Sequence, residues 1–447
     1  MQNLLRTFFL CLFLLAPLFP IQAQSSLDAL IDKEITSLVS IYKTLHAAPE
    51  LSHKEEKTSA FIATELRKLG FTVTERIGKY ERTEWSGYGV VAIMKNGNGP
   101  TVLVRSELDA LPVEEKTSLP YASTVRTKND AGMEVGVMHA CGHDIHMTSL
   151  LGTARMLVSL KDRWHGTLIL IGQPAEETID GARAVLRDGL YSKFPKPDFA
   201  IALHDAADLE AGRVGVTPGF ALASATGIDI KVRGLGGHGS QPQATKDPIV
   251  VASEIVIALQ TIVSRENSPF DPAVVTVGSI HGGTRYNIIP DEVNLQLTIR
   301  TYKEEVRQHI IASIERISKG IALAAGIPND RLPIVKVSET EVTSATYNDP
   351  RLTERIASAF RTALGAENVV NVPPIMASED FGYLSLNQRI PSMIFWLGAV
   401  DPAKVKASKD SGTPLPSLHS ALFAPLPEPT LRTGVKAMTT AVLELMK

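Results

Sequence analysis

Apolar residues fall on a helical period over 27–45, and a second helical stretch is predicted to open at Ser52 and to stop at Gly70. Ser52 with Glu55 three residues on has the form of a capping box, and glycine commonly follows a helix C-terminus. Strand-like apolar runs come next, over 90–94 and 101–104, with the turn sequence Asn96-Gly97-Asn98-Gly99 between them, so the two are expected to pair as a hairpin. Further on, apolar runs over 167–171 and 199–203 alternate with helical segments over 147–160 and 182–190. That alternation predicts an α/β fold whose sheet is covered on both faces.

Small residues over 221–226 mark a change of pattern. The chain then reads strand (228–232), helix (248–263), strand (273–279), strand (292–301), helix (304–325) and strand (333–337). A βαββαβ unit of this kind can build its own sandwich of four strands and two helices. We therefore expect a first domain made of residues 24–222 and 342–447, interrupted by an inserted domain over 223–341. A helix over 350–364, a strand over 393–397 and a Pro/Ser-rich loop carrying His419 should complete the first domain.

At 447 residues and 44% apolar content, the chain can bury cores for two domains. A net charge of -3 and the lack of a long basic run exclude the electrostatic footprint of a nucleic-acid binder, which leaves a small molecule or peptide as the expected substrate. Arg6, the apolar run 8–19 and the small Ala23 before Gln24 read as a secretory signal over 1–23. Pro17 and Pro20 break that run, which is shorter than the roughly 20 apolar residues that cross a bilayer. No later segment reads as a span. The expected location is periplasmic or secreted, without stable membrane association after the signal is cleaved.

The chemistry is concentrated in His139-Ala140-Cys141-Gly142-His143-Asp144-Ile145-His146. The only other cysteine, Cys11, lies in the predicted signal, so Cys141 has no intramolecular disulfide partner. Thiolate and imidazole are the usual ligands of zinc-like ions. Other polar groups sit just past the apolar strand runs: Glu107 and Asp109 after 104, Glu176 and Glu177 after 171, and His204 after 203. In open α/β sheets ligands collect at the carboxyl ends of strands, so these groups are expected to converge on the Cys141 segment. Taken singly, each reads equally well as a solvated loop residue.

The runs Met138-His-Ala-Cys-Gly-His-Asp, Gln173-Pro-Ala-Glu-Glu, Gly236-Gly-His-Gly, Asn287-Ile-Ile-Pro-Asp and Met376-Ala-Ser-Glu-Asp-Phe, in that order, resemble the aminoacylase and hippurate-hydrolase branch of the dinuclear-metal amidohydrolases and carboxypeptidases. The likeness extends from the His46-Ala-Ala-Pro-Glu-Leu segment to His419. It implies a mixed-sheet, metallopeptidase-like catalytic domain with the βαββαβ sandwich as a lid and dimerisation domain. It implies two divalent metal ions, zinc or manganese first and cobalt or nickel next, held by Cys141, His143, Glu177, His204 and His419, with Glu176 as general base. The activity it implies is hydrolysis of the amide of an N-acyl amino acid or a similar small amide. Carboxypeptidase or dipeptidase action on short peptides is the alternative, and a non-catalytic metal-binding relic is a third reading.

Asp109 matches an acidic residue near the metals and would orient His143 or the Cys141 loop; on the residues alone it could instead cap the turn at Pro112. In the resemblance His238 stabilises the oxyanion of the tetrahedral intermediate, often from a neighbouring subunit, and Asn287 accompanies it as a substrate-binding residue. Without the resemblance His238 reads as a histidine in a flexible glycine turn. Arg300, at a strand end, is either a ligand for a substrate carboxylate or a surface charge. His53, His165, His281 and His309 are expected in solvent, and His46, His139 and His146 behind the ligands. The chain departs from the pattern at Glu107 (usually Asp), at Ile145 (usually Gly) and at Asp205-Ala206-Ala207 after His204, without losing a ligand or the base.

Overall fold

A computed structural model describes residues 26–447. The expected signal over 1–23, with Cys11, lies outside the described residues. The larger domain is organised by an eight-stranded mixed sheet. In spatial order its strands are Thr72–Ile77, Gly89–Asn96, Gly166–Gln173, Thr101–Glu107, Phe199–Glu210, Ser392–Val400, Val214–Val216 and Val369–Asn371. The third to the sixth run parallel, and their apolar residues are buried on both faces, as parallel strands require.

One face packs against Leu27–His46, His143–Ser159, Pro350–Leu364 and Pro427–Met446 around residues such as Leu38, Leu150, Phe360 and Val435. The other face is covered by the short helices Gly181–Arg187 and Leu190–Lys193 and by the turn carrying Phe381 and Leu384. The helix Pro350–Leu364 begins where its local signals put it: the Asp349 side chain caps Leu352 N, and proline occupies the first turn.

Three local expectations are corrected. Strands 89–96 and 101–107 do not form a hairpin, because 166–173 lies between them, antiparallel to the first and parallel to the second. The intervening turn is used for docking instead. Asn96 Nδ2 donates to the carbonyls of Lys161 and Trp164, both at 2.6 Å, and Gly99 packs directly on the His165–Gly166 backbone that leads into the central strand. The capping box at Ser52 is absent: the helix is Glu56–Lys68, Ser52 Oγ donates to Asp109 Oδ2 (2.7 Å), and Glu55 accepts from His53 N and Ala175 N. Tertiary partners have taken both side chains. His53 is not solvated: it is buried, stacks on Trp85 at 3.6 Å between ring centroids, and holds Asp180 with Nε2 at 3.2 Å. His165, His281 and His309 are exposed.

The inserted unit is a separate four-stranded antiparallel sheet in the order Ala273–Gly282, Glu292–Thr301, Ser224–Arg233, Ile334–Thr343, with Pro248–Thr261 and Glu304–Ala324 packed over a core of Ile230, Ile255, Leu295 and Ile314. Strand 292–301 alternates between exposed and buried residues, so its even-numbered positions, Arg300 among them, lie on the face away from the helices. The two crossings between domains run side by side, since Gly219–Leu222 pairs with Thr346–Asn348. One helical segment among the described residues, Pro248–Glu266, is long and apolar enough to cross a membrane by length and composition. It packs Val251, Ile255 and Leu259 on the sheet and exposes Val250 and Ile257.

Candidate metal centre

The sheet topology brings the expected donors to one edge. Glu107 ends strand 101–107, Glu176 and Glu177 follow strand 166–173, and His204 lies in strand 199–210 beside them. Cys141 and Gly142 lead into helix His143–Ser159. Gly142 has φ +84, and a Cβ there would stand 2.5 Å from Asp205 Oδ2, so only glycine allows the helix to start this close to the sheet. His419, also left-handed at φ +66, donates its backbone N–H to Ala140 O (2.8 Å), which lays it against the Cys141 loop.

Cys141 Sγ is 3.6 Å from His204 Nε2 and 3.3 Å from His419 Nε2. His419 Nε2 is 3.5 Å from Glu177 Oε2, and His143 Nε2 is 3.8 Å from both Glu177 Oε1 and Glu176 Oε2. Donor atoms lie within 4.8 Å of one another in the triads Cys141/His143/His204, Cys141/Glu177/His419 and His143/Glu176/Glu177. The sulfur belongs to two of these.

The imidazoles are oriented for coordination. Nδ1 of His143 is 2.9 Å from Asp109 O, and Nδ1 of His204 is 2.9 Å from Asp205 O. An N–H donated to a carbonyl at Nδ1 leaves Nε2 as the lone-pair nitrogen, and both Nε2 atoms face the cluster. His143 Nε2 and Glu177 Oε1 are buried with no hydrogen-bond partner in the protein. Orphaned buried donors of this kind, beside a thiol, suit a borderline-soft cation. His146 is different: its Nε2 accepts from Asp205 N (2.9 Å) and its Nδ1 lies 3.0 Å from Glu107 Oε2, so neither nitrogen is free. Asp109 accepts from Ser52 Oγ and from Glu177 N (2.9 Å), and its Oδ1 is 3.4 Å from His143 Nδ1. None of these partners belongs to the turn at Pro112.

Burial dominates the electrostatics. Burial and the neighbouring His146 drop the His204 imidazole to about 3, which keeps it neutral. Burial opposes charge on His143 too, but Asp109, Glu107 and Glu177 outweigh it and lift the ring to about 10. Burial, with Glu177 and Glu176 close by, pushes the Cys141 thiol up. Burial, with Glu379 and Glu177, pushes the Glu176 carboxyl well above the usual range. A divalent cation among these groups would reverse the trend for the thiol and the carboxyls, and would displace the proton that the carboxylates otherwise hold on His143, freeing Nε2 to bind.

Behind the cluster, the fully buried Arg105 guanidinium holds Glu379 (2.8 Å), Asp380 (3.0 Å) and Glu107. Glu379 also comes within donor distance of Glu107 and His204. Sequence reasoning gave no role to Arg105, Glu379 or the buried Asp205, whose carboxylate oxygens lack hydrogen-bond partners. The available signal was Arg105, a charge inside the otherwise apolar start of strand 101–107.

A cavity of about 370 Å³ opens on the donors and is walled by Leu222, Ile375, Trp396 and Leu418, with Arg300 at its border. Arg300 and Glu177 also line an adjoining cavity of about 440 Å³ that contains Arg82 and Trp85. A third, of about 380 Å³, meets them at Glu177. Arg300 is half-buried, and its guanidinium donates to Thr298 Oγ1 (2.9 Å). His238 and Asn287 are not brought to these cavities by their own chain. His238 lies on the short ribbon formed by Gly237–His238 and Ile288–Ile289, and Asn287 directly precedes Ile288, its carbonyl accepting from Gly239 N (2.9 Å). His238 is exposed and its Nδ1 accepts from Ser240 Oγ (2.8 Å).

The family model described as Peptidase family M20/M25/M40 matches residues 103–422. A hippurate hydrolase from Campylobacter jejuni is 37% identical over 76% of this chain and 82% of its own length. Thermostable carboxypeptidase 2 from Saccharolobus solfataricus is 36% identical over 83% of this chain and 88% of its own. Among solved structures, the Bacillus subtilis YXEP protein, described as a dinuclear metal binding peptidase from the M20 family, superposes with a TM-score of 0.72 at 26% identity, covering 93% of this chain and 99% of that one.

Proposed function

The chain belongs to peptidase family M20/M25/M40, and from that premise we propose that it hydrolyses the amide bond of N-acyl amino acids, with Cys141, His143, Glu177, His204 and His419 holding two divalent ions. The observation that carries this reading is the single sulfur shared by two donor triads. The thiolate and imidazoles favour zinc, and manganese, cobalt or nickel fit the same mixed donor set. Bound metal supplies Lewis acidity, polarising the amide carbonyl and making water a stronger nucleophile.

The protein's own groups do the rest. Glu176 is the carboxylate left to take a proton from water and return it to the leaving nitrogen, a task suited to a buried acid whose affinity for protons is raised. Asp109 orients His143 and at the same time receives the Glu177 amide, tying ligand geometry to the turn that carries the base. Arg300, half-buried and with no carboxylate within ion-pair distance among the described residues, would bind the substrate carboxylate, and the apolar wall of Leu222, Ile375, Trp396 and Leu418 would take the acyl group.

Peptidase action on short peptides is the second reading. It is favoured by the three cavities that meet at Glu177, which leave room beyond one acyl group, and by the likeness to a carboxypeptidase. His238 and Asn287 would serve the site of a second copy, joined through the inserted domain. The support is the exposed apolar set Val250, Ile257, Tyr286 and Ile288, two of which flank Asn287. Export to the periplasm or beyond rests on Arg6 and the apolar run 8–19.

The test is Glu176→Gln in metal-loaded protein, assayed on a panel of N-acyl amino acids and short peptides. Unchanged metal content with a rate lower by about 10²–10⁴-fold is expected. A metal-loaded wild type that cleaves nothing in the panel would point instead to a metal-binding relic.

A further inference from the structure

We infer that Glu55 is a positioning residue for Glu176: its buried carboxyl oxygen clamps the backbone of Ala175 in a left-handed conformation that aims Glu176 at the metal centre, while the Glu177 amide is held separately by Asp109. This rests on the role given to Glu176 above. Ala175 has φ +51 and Ile179 has φ +59, so the two glutamates lie between two non-glycine residues in a region that costs L-residues roughly 1–2 kcal/mol each. Such backbone persists only where its surroundings over-determine it.

Three carboxylates from distant segments do so here. The Ala175 amide donates to Glu55 Oε1 (2.8 Å), the Glu177 amide to Asp109 Oδ2 (2.9 Å) and the Ala182 amide to Asp380 Oδ2 (2.8 Å). The turn also closes on itself: Gly181 N donates to Ala175 O (3.0 Å), and a Cβ at Gly181 would lie 1.7 Å from Pro174 O. Asp109 and Asp380 have other partners in His143, Arg105 and Gln173. Among the described residues Glu55 has only backbone amides as partners, those of Ala175 and His53, and its Oε2 is buried without a partner. A fully buried acid with one oxygen unpaired costs stability, so its retention is better explained by the turn it holds than by the core it occupies. Ala175 directly precedes Glu176, and any other backbone conformation there would swing the base out of place.

Glu55→Asp and Glu55→Gln separate the acidic group from its reach. Burial and the nearby Asp109 push the Glu55 carboxyl up, so the clamp depends on an oxygen at the right reach: aspartate keeps the carboxyl but draws the acceptor back by one methylene, whereas glutamine keeps an oxygen at the same reach. We expect kcat to fall by about 10²-fold in Glu55→Asp, the scale of a 1 Å misplacement. KM and metal content should be unchanged, and Glu55→Gln should retain most of kcat. Crystal structures of both metal-loaded variants should show Ala175 leaving the left-handed region only in the aspartate variant. Equal kcat in the two variants, whether high or low, overturns the inference, as does a greater loss in Glu55→Gln. If the wild type cleaves no substrate, the functional reading fails. The clamp is then judged by the two crystal structures alone, and an unmoved Ala175 in Glu55→Asp rejects it.

Discussion

The sulfur of Cys141 stands 3.3 Å from Nε2 of His419, a residue 278 positions further along the chain. Because the same sulfur is 3.6 Å from His204 Nε2, it belongs to two donor triads, and on the proposed reading it would serve both ions. Cys141→Ala is therefore expected to lower the occupancy of both ions together, whereas His419→Ala should deplete one ion preferentially. Metal-to-protein ratios by elemental analysis check this. Retention of one full equivalent in Cys141→Ala would mean that the sulfur serves a single ion.

A second expectation concerns pH and does not involve the proposed ligands directly. His46 Nδ1 lies 2.7 Å from Asp144 Oδ2, and its Nε2 lies 3.1 Å from Glu115 Oε1. Burial opposes charge on the ring, but the two carboxylates outweigh it and lift His46 to about 10, while they are themselves held below their usual range. A raised histidine stabilises the fold fully below its unfolded value of about 6.5 and loses that contribution as pH rises through about 10. The depressed carboxylates contribute above their unfolded values of roughly 4 and lose the contribution as pH falls. The triad is thus strongest between about pH 4 and pH 6.5. His46→Asn should destabilise the protein more at pH 5.5 than at pH 10.5 in denaturant unfolding. An equal loss at both pH values would show that folding does not raise the ring's affinity for protons.

Much of this organisation is legible in the sequence because it is local or periodic. Asp349 and Pro350 announce their helix, and polar residues placed just past apolar strand runs locate the edge where Cys141, Glu177 and His204 meet. What could not be read depends on partners far along the chain. The order of the sheet depends on strand 166–173 entering between 89–96 and 101–107, which no turn signal encodes. Ser52 and Glu55 have the spelling of a cap, but buried acceptor and donor groups at Asp109 and Ala175 compete for them and win. Nothing near His53 in the chain marks it as buried, because Trp85, its stacking partner, is 32 residues away in a loop. Glu379 carried no signal beyond its motif until Arg105 was found beneath it.

That arginine yields a stability prediction. Arg105 is wholly buried among Glu107, Glu379 and Asp380, so removing it leaves carboxylates uncompensated in a low-dielectric interior. Arg105→Met is expected to cost about 3–5 kcal/mol in denaturant unfolding, the usual range when one partner of a buried ion pair is lost. Adding Glu379→Gln should recover part of it, because one uncompensated charge is then gone. A double variant as unstable as the sum of the two single changes would mean that Arg105 acts through packing and not charge.

Arg300 offers the sharpest test of what the cavities recognise. It borders both the apolar cavity over the donors and the adjoining one, and among the described residues no carboxylate lies within ion-pair distance of it, Glu341 of the adjoining cavity acting on it from farther off. A half-buried guanidinium left with a single hydroxyl partner is prepared for an anion, and a hydrogen bond to a charged group contributes about 1.5–3 kcal/mol. Arg300→Ala should therefore lower kcat/KM for an N-acyl amino acid by roughly 10- to 100-fold. The control is the same substrate with its carboxylate amidated. Wild type should cleave the amidated compound poorly, and Arg300→Ala should handle both compounds alike, because the contact that distinguishes them is gone. If the variant still prefers the free acid by the wild-type margin, the carboxylate is bound elsewhere, and Arg82 in the adjoining cavity becomes the residue to replace next.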